Sequence, residues 1–407
     1  MLLPKNIELN KMRNLLGLHS TMRSTFFIGR VMCLLPIIGL NFPVSKYLRF
    51  TLRTPYTIIY FISLFGQLLM FSTSFHWLVH NGISLATITN ALFYSASLVS
   101  SLVLANMSRS WPKLVRQVEL IETKLPLLTP HVASLSNIVM VFMLFAALVE
   151  HVLSILYCLT VASNCNPNNI LETFFQHNMP WIFDYTSYSL WKGILVEVFN
   201  IQSTFLWSFS DLLIMVISIY LTEHFVVHNY SLKKAINEKS FPCVEFRKQY
   251  SLIVRLVKLI NDHIGIFILT SFGSNLYWIC IQFFNNLNKT QTGHFLSCPT
   301  EQQGKTLTSI VHTAYFTYSF SFLVVRTFSA LLLAARVHSK SRTPLLMLYN
   351  VPSARYNVEI ERFIYQVKNL KVALSGLGFF YVTKTMILSL IGTIITYELV
   401  LLQFDNE

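Results

Sequence analysis

Residues 373–407 read ALSGLGFFYVTKTMILSLIGTIITYELVLLQFDNE. From Met386 to Leu402 the stretch is almost wholly apolar, and it then stops at Gln403, Phe404, Asp405, Asn406 and Glu407. Counted back to Leu374, it is long enough to cross a hydrocarbon core of ~30 Å, which takes ~20 residues. It still carries Thr396, Tyr397, Glu398 and Gln403. A polar group in lipid has to meet another helix or water. Two readings are open: a helix packed into a bundle through its polar patches, or a helix that lines a watery path.

Composition extends this to the whole chain. Of 407 residues, 53% are hydrophobic and only 12% charged, with a mean hydropathy of +0.53. Soluble domains carry ~25% charged residues. Successive apolar runs of about 20 residues make this an all-α, polytopic membrane protein. Spans are predicted over 56–79, 83–105, 134–162, 194–226, 264–286, 307–335 and 374–402, seven in all. The run 26–42 is interrupted by Arg30 and Pro36 and followed by Pro43, so it reads as an interfacial helix or one packed under the bundle. No cleavable signal peptide is expected, because Lys5, Glu8, Lys11 and Arg13 open the chain without a short apolar run.

The charge of +13 fits loops rather than a nucleic-acid partner. One set of connecting segments holds 26 Lys and Arg, among them Arg109, Lys113, Lys233, Lys234, Arg342 and Arg355. The opposite set holds Lys192, Lys289 and Lys305 alone. The positive-inside rule then puts the N-terminus in the cytoplasm and the C-terminus outside. Asn288-Lys289-Thr290, a glycosylation acceptor, falls in an outer loop on this scheme. Cys165 and Cys298 also fall outside, where a disulfide persists. Acceptor patterns at Asn106 and Asn229 fall at inner ends and are expected to be unused.

Seven spans with an inner N-terminus reverse the topology of a G-protein-coupled receptor, and no DRY or NPxxY triplet accompanies them. The sequence also lacks HExxH, GxSxG, P-loop, CxxC and GxGxxG patterns, so neither an enzyme nor a cofactor is expected. His224 and His228 have metal-ligand spacing but no third ligand in view, so no metal site is predicted.

Polar residues inside the spans are the functional signal. At ~100° per residue, Glu197, Asn200, Thr204, Ser208 and Asp211 share one side of a helix. So do Ser271, Asn275, Trp278, Gln282 and Asn285, and Thr308, His312, Tyr315, Ser319 and Arg326. Glu150, Ser154 and Tyr157 form a fourth set, and Thr87, Asn90 and Tyr94 a fifth. One such set is ordinary interhelical packing. Five, mostly in outer half-spans, describe an aqueous pocket open to the outside. Carboxylates and amides bond hydroxyls in pairs, and aromatic faces cover the C–H faces of a sugar ring. The ligand-binding candidates are Glu150, Glu197, Asn200, Asn275, Trp278, Gln282, His312 and Tyr315. Deeper in the membrane, Asp211 and Arg326 are expected to pair, since an unpaired charge there is costly.

TYELVLLQF at 396–404 resembles the TYxxxxxQF signature that closes insect gustatory receptors. The stretch VALSGLGFF from Val372, WSFSDLLI at 207–214 and PLLMLYNVPS at 344–353 look like the sugar-receptor branch. Lys384 departs from the Arg of that branch. The resemblance implies a fold similar to that of insect odorant receptors: a homo- or hetero-tetrameric, ligand-gated cation channel in the plasma membrane of a chemosensory neuron. It implies a sugar in the outer half of each bundle, monovalent and divalent cations passing through, and lipid around. On that scheme residues 1–55 are a cytoplasmic segment, 56–335 the ligand-binding bundle, 336–372 an inner anchor and 373–407 the pore helix. Thr396, Tyr397, Gln403 and Phe404 then stand at the pore, with Gln403 and Phe404 at its outer gate. Alternative readings are a receptor of this fold for another tastant or odorant, and a seven-helix receptor acting through a G protein.

Overall fold

The computed structural model describes residues 16–238, 241–287 and 305–405. The side chains of 284–287, 305–308, 397–399 and 401–405 lie outside the description. The chain is a bundle of long helices. Helix α1 (Leu18–Val31) leads to a two-residue pairing of β1 (Ile37–Ile38) with β2 (Arg49–Phe50). Then come α2 (Tyr56–Asn81), α3 (Leu85–Glu122) and α4 (His131–Cys165). Two short helices follow, α5 (Ile170–Asn178) and α6 (Pro180–Phe183). The long helices α7 (Leu190–Asn237), α8 (Cys243–Leu287) and α9 (Lys305–Tyr349) form the centre. Helix α10 (Val358–Asn369), a hairpin of β3 (Ser375–Gly376) and β4 (Phe380–Tyr381), and α11 (Lys384–Asp405) complete it.

Local chemistry explains the boundaries. Ser84 and Thr87 exchange side-chain and backbone hydrogen bonds at the start of α3, a reciprocal cap that satisfies two otherwise orphan donors. Asn357 Oδ1 accepts from the Ile360 N–H 3.1 Å away and starts α10. Helix α10 buries Ile360, Phe363, Ile364 and Val367, one stripe at helical spacing.

Five helices among the described residues are long and apolar enough to cross a membrane: α2, α3, α4, α7 and the Ser309–Tyr349 part of α9. The chain is a multi-pass membrane protein. The expected spans at 264–286 and 374–402 fall on α8 and on the hairpin and helix at the C-terminal end. The last expectation needs correction: the helix begins at Lys384, not Leu374. Residues 374–383 are apolar, but Leu377 and Gly378 sit at φ +51° and +82° and turn the chain into the β3–β4 hairpin. Helix α7, 48 residues long, is ~72 Å at 1.5 Å per residue, far more than a bilayer needs. Helices α8 and α9, at 45 residues each, are nearly as long.

Helix α7 is the axis of the molecule, packed by α2, α3, α4, α8 and α9 and buried along most of its length. One core surrounds the C-terminal two thirds of α7 and takes in Trp111, Phe209, Tyr220, Phe267, Leu331 and Phe363. A smaller core at the N-terminal end of α7 joins Met70, Tyr94, Phe175, Trp181, Val196 and Phe199 beneath α5 and α6. Helix α1 packs among α3, α4 and α7, in keeping with a helix tucked into the bundle. Its carbonyl at Met32 accepts from Gln202 Nε2, 2.9 Å away.

Candidate functional site

Between the two cores lies a cavity of about 220 Å³. Its wall is drawn from α3, α4, α5, α6, α7, α8 and α9. Helix α7 supplies Glu197, Asn200, Thr204 and Trp207, spaced three to four residues apart on one side. Helix α4 supplies Glu150, His151 and Ser154, α8 supplies Trp278 and Gln282, and α9 supplies Tyr315 and Ser319. Asn90, Phe93 and Tyr94 come from α3, and Trp181 from α6.

The acid and amide groups are only partly satisfied by the protein. Ser319 Oγ donates to Glu150 Oε1 at 2.9 Å. Tyr94 donates its hydroxyl to Asn200 Oδ1 at 3.1 Å. His151 Nε2 stands 3.4 Å from Glu197 Oε1, yet neither Glu197 oxygen accepts a hydrogen bond of good geometry. Gln282 Oε1 and Trp181 Nε1 are likewise buried without a protein partner. Buried polar groups are almost always hydrogen-bonded. With His151 Nε2, five buried polar atoms without a protein hydrogen-bond partner gather around this one cavity. Phe93, Trp207 and Trp278 form the floor, with ring centroids 5.5–6.3 Å apart.

Six of the eight ligand candidates line this cavity: Glu150, Glu197, Asn200, Trp278, Gln282 and Tyr315. Two do not. His312 lies tilted against Tyr157 at 5.1 Å and stacked on Phe316 at 6.1 Å, one turn from Tyr315. Asn275 lies fully buried below the floor, bonded to both oxygens of Asp211 at 3.1 Å. A shared helical side is a wedge wide enough to serve two different chambers. His151, Trp181, Asn178, Phe93 and Trp207 also line the cavity and were missed. Trp207 opens the WSFSDLLI stretch, and His151 neighbours Glu150; these were the available signals.

Asp211 and Arg326, expected to pair, are 0% and 2% exposed, and Arg326 Nε lies 2.8 Å from Asp211 Oδ2. Nearer the middle of α2, Gln67 donates to Gln202 Oε1 at 3.1 Å and accepts from Ser203 at 2.9 Å. Asn229 donates to the Lys340 carbonyl at 2.9 Å, and His228 Nε2 meets the Phe246 carbonyl at 3.0 Å, so both serve packing at the inner end. Cys165 is disulfide-bonded; Cys298 and Asn288 lie outside the described residues. Thr396 is exposed on α11 and donates to the Gly392 carbonyl at 2.9 Å. The side chains of Tyr397, Gln403 and Phe404 lie outside the described residues.

Long helices extended at one end, a polar cavity towards the other and a terminal helix set off by a hairpin make up the fold. The olfactory receptor OR5 from Machilis hrabei superposes with a TM-score of 0.66 at 15% identity, covering 94% of this chain and 97% of that one. Its complex with eugenol gives 0.63. The chain belongs to the trehalose-receptor family of gustatory receptors, whose family model matches residues 4–407. The gustatory receptor for sugar taste 64f of Drosophila melanogaster is 30% identical, over 96% of this chain and 81% of its own length. The gustatory receptor 5a for trehalose of the same fly is 29% identical, over 96% of this chain and 85% of its own length.

Proposed function

We propose that the chain is a subunit of a sugar-gated cation channel. A sugar bound in the outer cavity opens a central pore lined by α11 from four copies, identical or related, in the plasma membrane of a chemosensory neuron. The observation that carries this reading is the set of buried groups without a protein hydrogen bond on Glu197, Gln282 and Trp181 around an aromatic floor. Glu197 takes two adjacent hydroxyls, Glu150, Asn200 and Gln282 take others, and Trp278 and Tyr315 cover a ring face. The relatives named for sugars and for trehalose support a sugar over other polyols. Gln403 and Phe404 end α11 and close the pore, a ring of Phe by dewetting and a ring of Gln by satisfying water when the helices part. Residues 336–372 serve as the inner anchor, and Asn288 carries a glycan in the outer loop.

Patch recording from heterologous cells tests the reading. Trehalose, sucrose and glucose are applied with G-protein signalling blocked. At least one is expected to evoke unitary cation current. Glu197→Ala is expected to reach the surface normally and to lose the response by about a hundredfold or more in concentration, since a charged hydrogen-bonding group is worth ~1.5–3 kcal/mol and two are lost. Saturable uptake without conductance, or a normal dose–response curve in Glu197→Ala, sinks the proposal.

A further inference from the structure

We propose that Trp207, Asn275 and the Arg326–Asp211 pair form a relay that converts occupancy of the outer cavity into a change in how α7, α8 and α9 are joined. The relay rests on the sugar-site reading above and assigns a role to residues outside the ligand contacts.

The geometry begins at the cavity floor. One side of the Trp207 indole lines the cavity. Arg326 Cζ stands 4.1 Å from its centroid, so the guanidinium is stacked on the ring. Trp207 Nε1–H donates to Asn275 Oδ1 at 2.8 Å. That same oxygen accepts from Arg326 Nη2 at 3.3 Å. Asn275 Nδ2 in turn donates to Asp211, and the Ser271 hydroxyl donates to the same carboxylate. Arg326 Nη1 donates to Ser208 Oγ at 2.9 Å. Ring, amide, cation and anion are thus one cluster with a shared acceptor.

Three helices meet in it. Trp207, Ser208 and Asp211 belong to α7, Ser271 and Asn275 to α8, and Arg326 to α9. The side-chain donors to the Asp211 carboxylate, and its cation, come from α8 and α9. A buried pair has no water to fall back on, so it cannot loosen gradually; losing one partner is strongly unfavourable. The cluster therefore has discrete arrangements rather than a continuum, and the indole cannot shift without re-sorting the bonds at Asn275 Oδ1.

A second observation shows that the indole is not set in a solid core. A small chamber of about 20 Å³ borders Trp207 as well, walled by Ser97, Ser100, Ser210, Thr270 and Ser274. Phe93, Ala96 and Trp278 complete its wall, so hydroxyls and apolar groups both face it, and a water needs ~10–15 Å³ measured this way. Phe93, Trp207 and Trp278 border both spaces and therefore form a partition between them, not the wall of a solid core. Helices α8 and α9, tied together by the cluster, are also the helices on which α11 packs. A change in their junction reaches α11 directly.

The test separates binding from opening. Asn275→Leu removes the shared acceptor without touching the cavity wall, and Ser208→Ala removes one Arg326 acceptor more gently. Full-length protein is used for radiolabelled trehalose binding, and intact cells for trehalose-evoked current. A coupling role predicts that binding stays within about threefold of wild type while the half-maximal concentration for current shifts by about tenfold in Asn275→Leu and about threefold in Ser208→Ala. Binding and current moving together, or neither moving, overturns the relay. If Asn275→Leu fails to reach the surface, Ser208→Ala decides by the same criterion. A wild-type chain that binds no trehalose, sucrose or glucose fails the sugar reading itself, a result distinct from wild-type binding with variants that move both readouts.

Discussion

Gly66 decides how closely α2 and α7 approach. A Cβ added there would lie 2.1 Å from Phe199 Cε1 and 2.3 Å from Cδ1. Phe199 is 7% exposed and is packed in the outer core with Met70, Tyr94 and Val196, so its ring has little room to yield. The close approach also sets the Gln67 amide, whose Nε2 donates to the Phe199 carbonyl at 3.3 Å and to Gln202 at 3.1 Å. Overpacking a well-filled core costs ~1–3 kcal/mol. Gly66→Ala should therefore lower the melting temperature of the purified receptor by several degrees, read by fluorescence-detected size exclusion after heating. It should also weaken sugar binding, because Asn200 lies one residue beyond Phe199 on α7. An unchanged melting curve would mean that the two helices separate at no cost, contrary to the packing.

At the scale of elements, α10 is clamped to α8 by charge as well as by its apolar stripe. Arg247 Nε donates to Glu359 Oε2 at 3.1 Å, and Arg362 Nη1 donates to Glu359 Oε1 at 2.6 Å. The Arg362 hydrogen bond and then Arg247 hold the Glu359 carboxyl below the usual carboxylate range, desolvation opposing them. A carboxylate with a depressed folded pKa adds stability above its unfolded value, ordinarily ~4.3. That contribution is lost as pH falls through the folded value. Amide hydrogen exchange across α10 should thus speed up as pH falls below about 4.3, beyond the intrinsic change. Glu359→Gln should flatten that extra dependence, and high salt should mimic it, since exposed pairs are screened. A wild-type profile in Glu359→Gln would remove the clamp. Elements of this kind differ in how well they can be read in advance. The long helices were legible because an apolar run of about 20 residues has few other uses. The cavity was legible in part, since Glu197, Asn200 and Gln282 are too polar for lipid and too regularly spaced for chance. The hairpin at 374–383 was not, because an apolar run that turns at Gly378 has the same hydropathy as one that spans. Trp181 was not either: its four-residue helix has no periodicity, and only tertiary packing brings it over the cavity.

For the whole molecule, orientation follows from what stands at each end. Helices α7, α8 and α9 run on past the bilayer at the end that bears Lys233, Lys234, Lys248, Arg255, Arg342 and Arg362. The ends of α2 and α4 at the other side carry Asn81 and Cys165, and α5 and α6 close over the cavity there. Loops rich in Lys and Arg are retained in the cytoplasm. A disulfide at Cys165 calls for an oxidising compartment. The two arguments are independent, one resting on charge and one on redox chemistry, and both support the proposed orientation, with the cavity outside and the extended helices inside. Helix α11 leaves the inner hairpin at Lys384 and runs to Asp405, 22 residues, or ~33 Å at 1.5 Å per residue, enough to reach the outer face. An epitope placed after Glu407 should therefore be stained on intact cells, and one placed before Met1 only after permeabilisation. Cysteine substitution at exposed Leu346, on the extended part of α9, should resist an impermeant maleimide added outside, whereas substitution at exposed Trp191, at the start of α7, should react. Staining of the N-terminal epitope alone on intact cells, with Leu346→Cys labelled from outside, would invert the molecule and place the cavity on the cytoplasmic side, where it could not sample an external sugar.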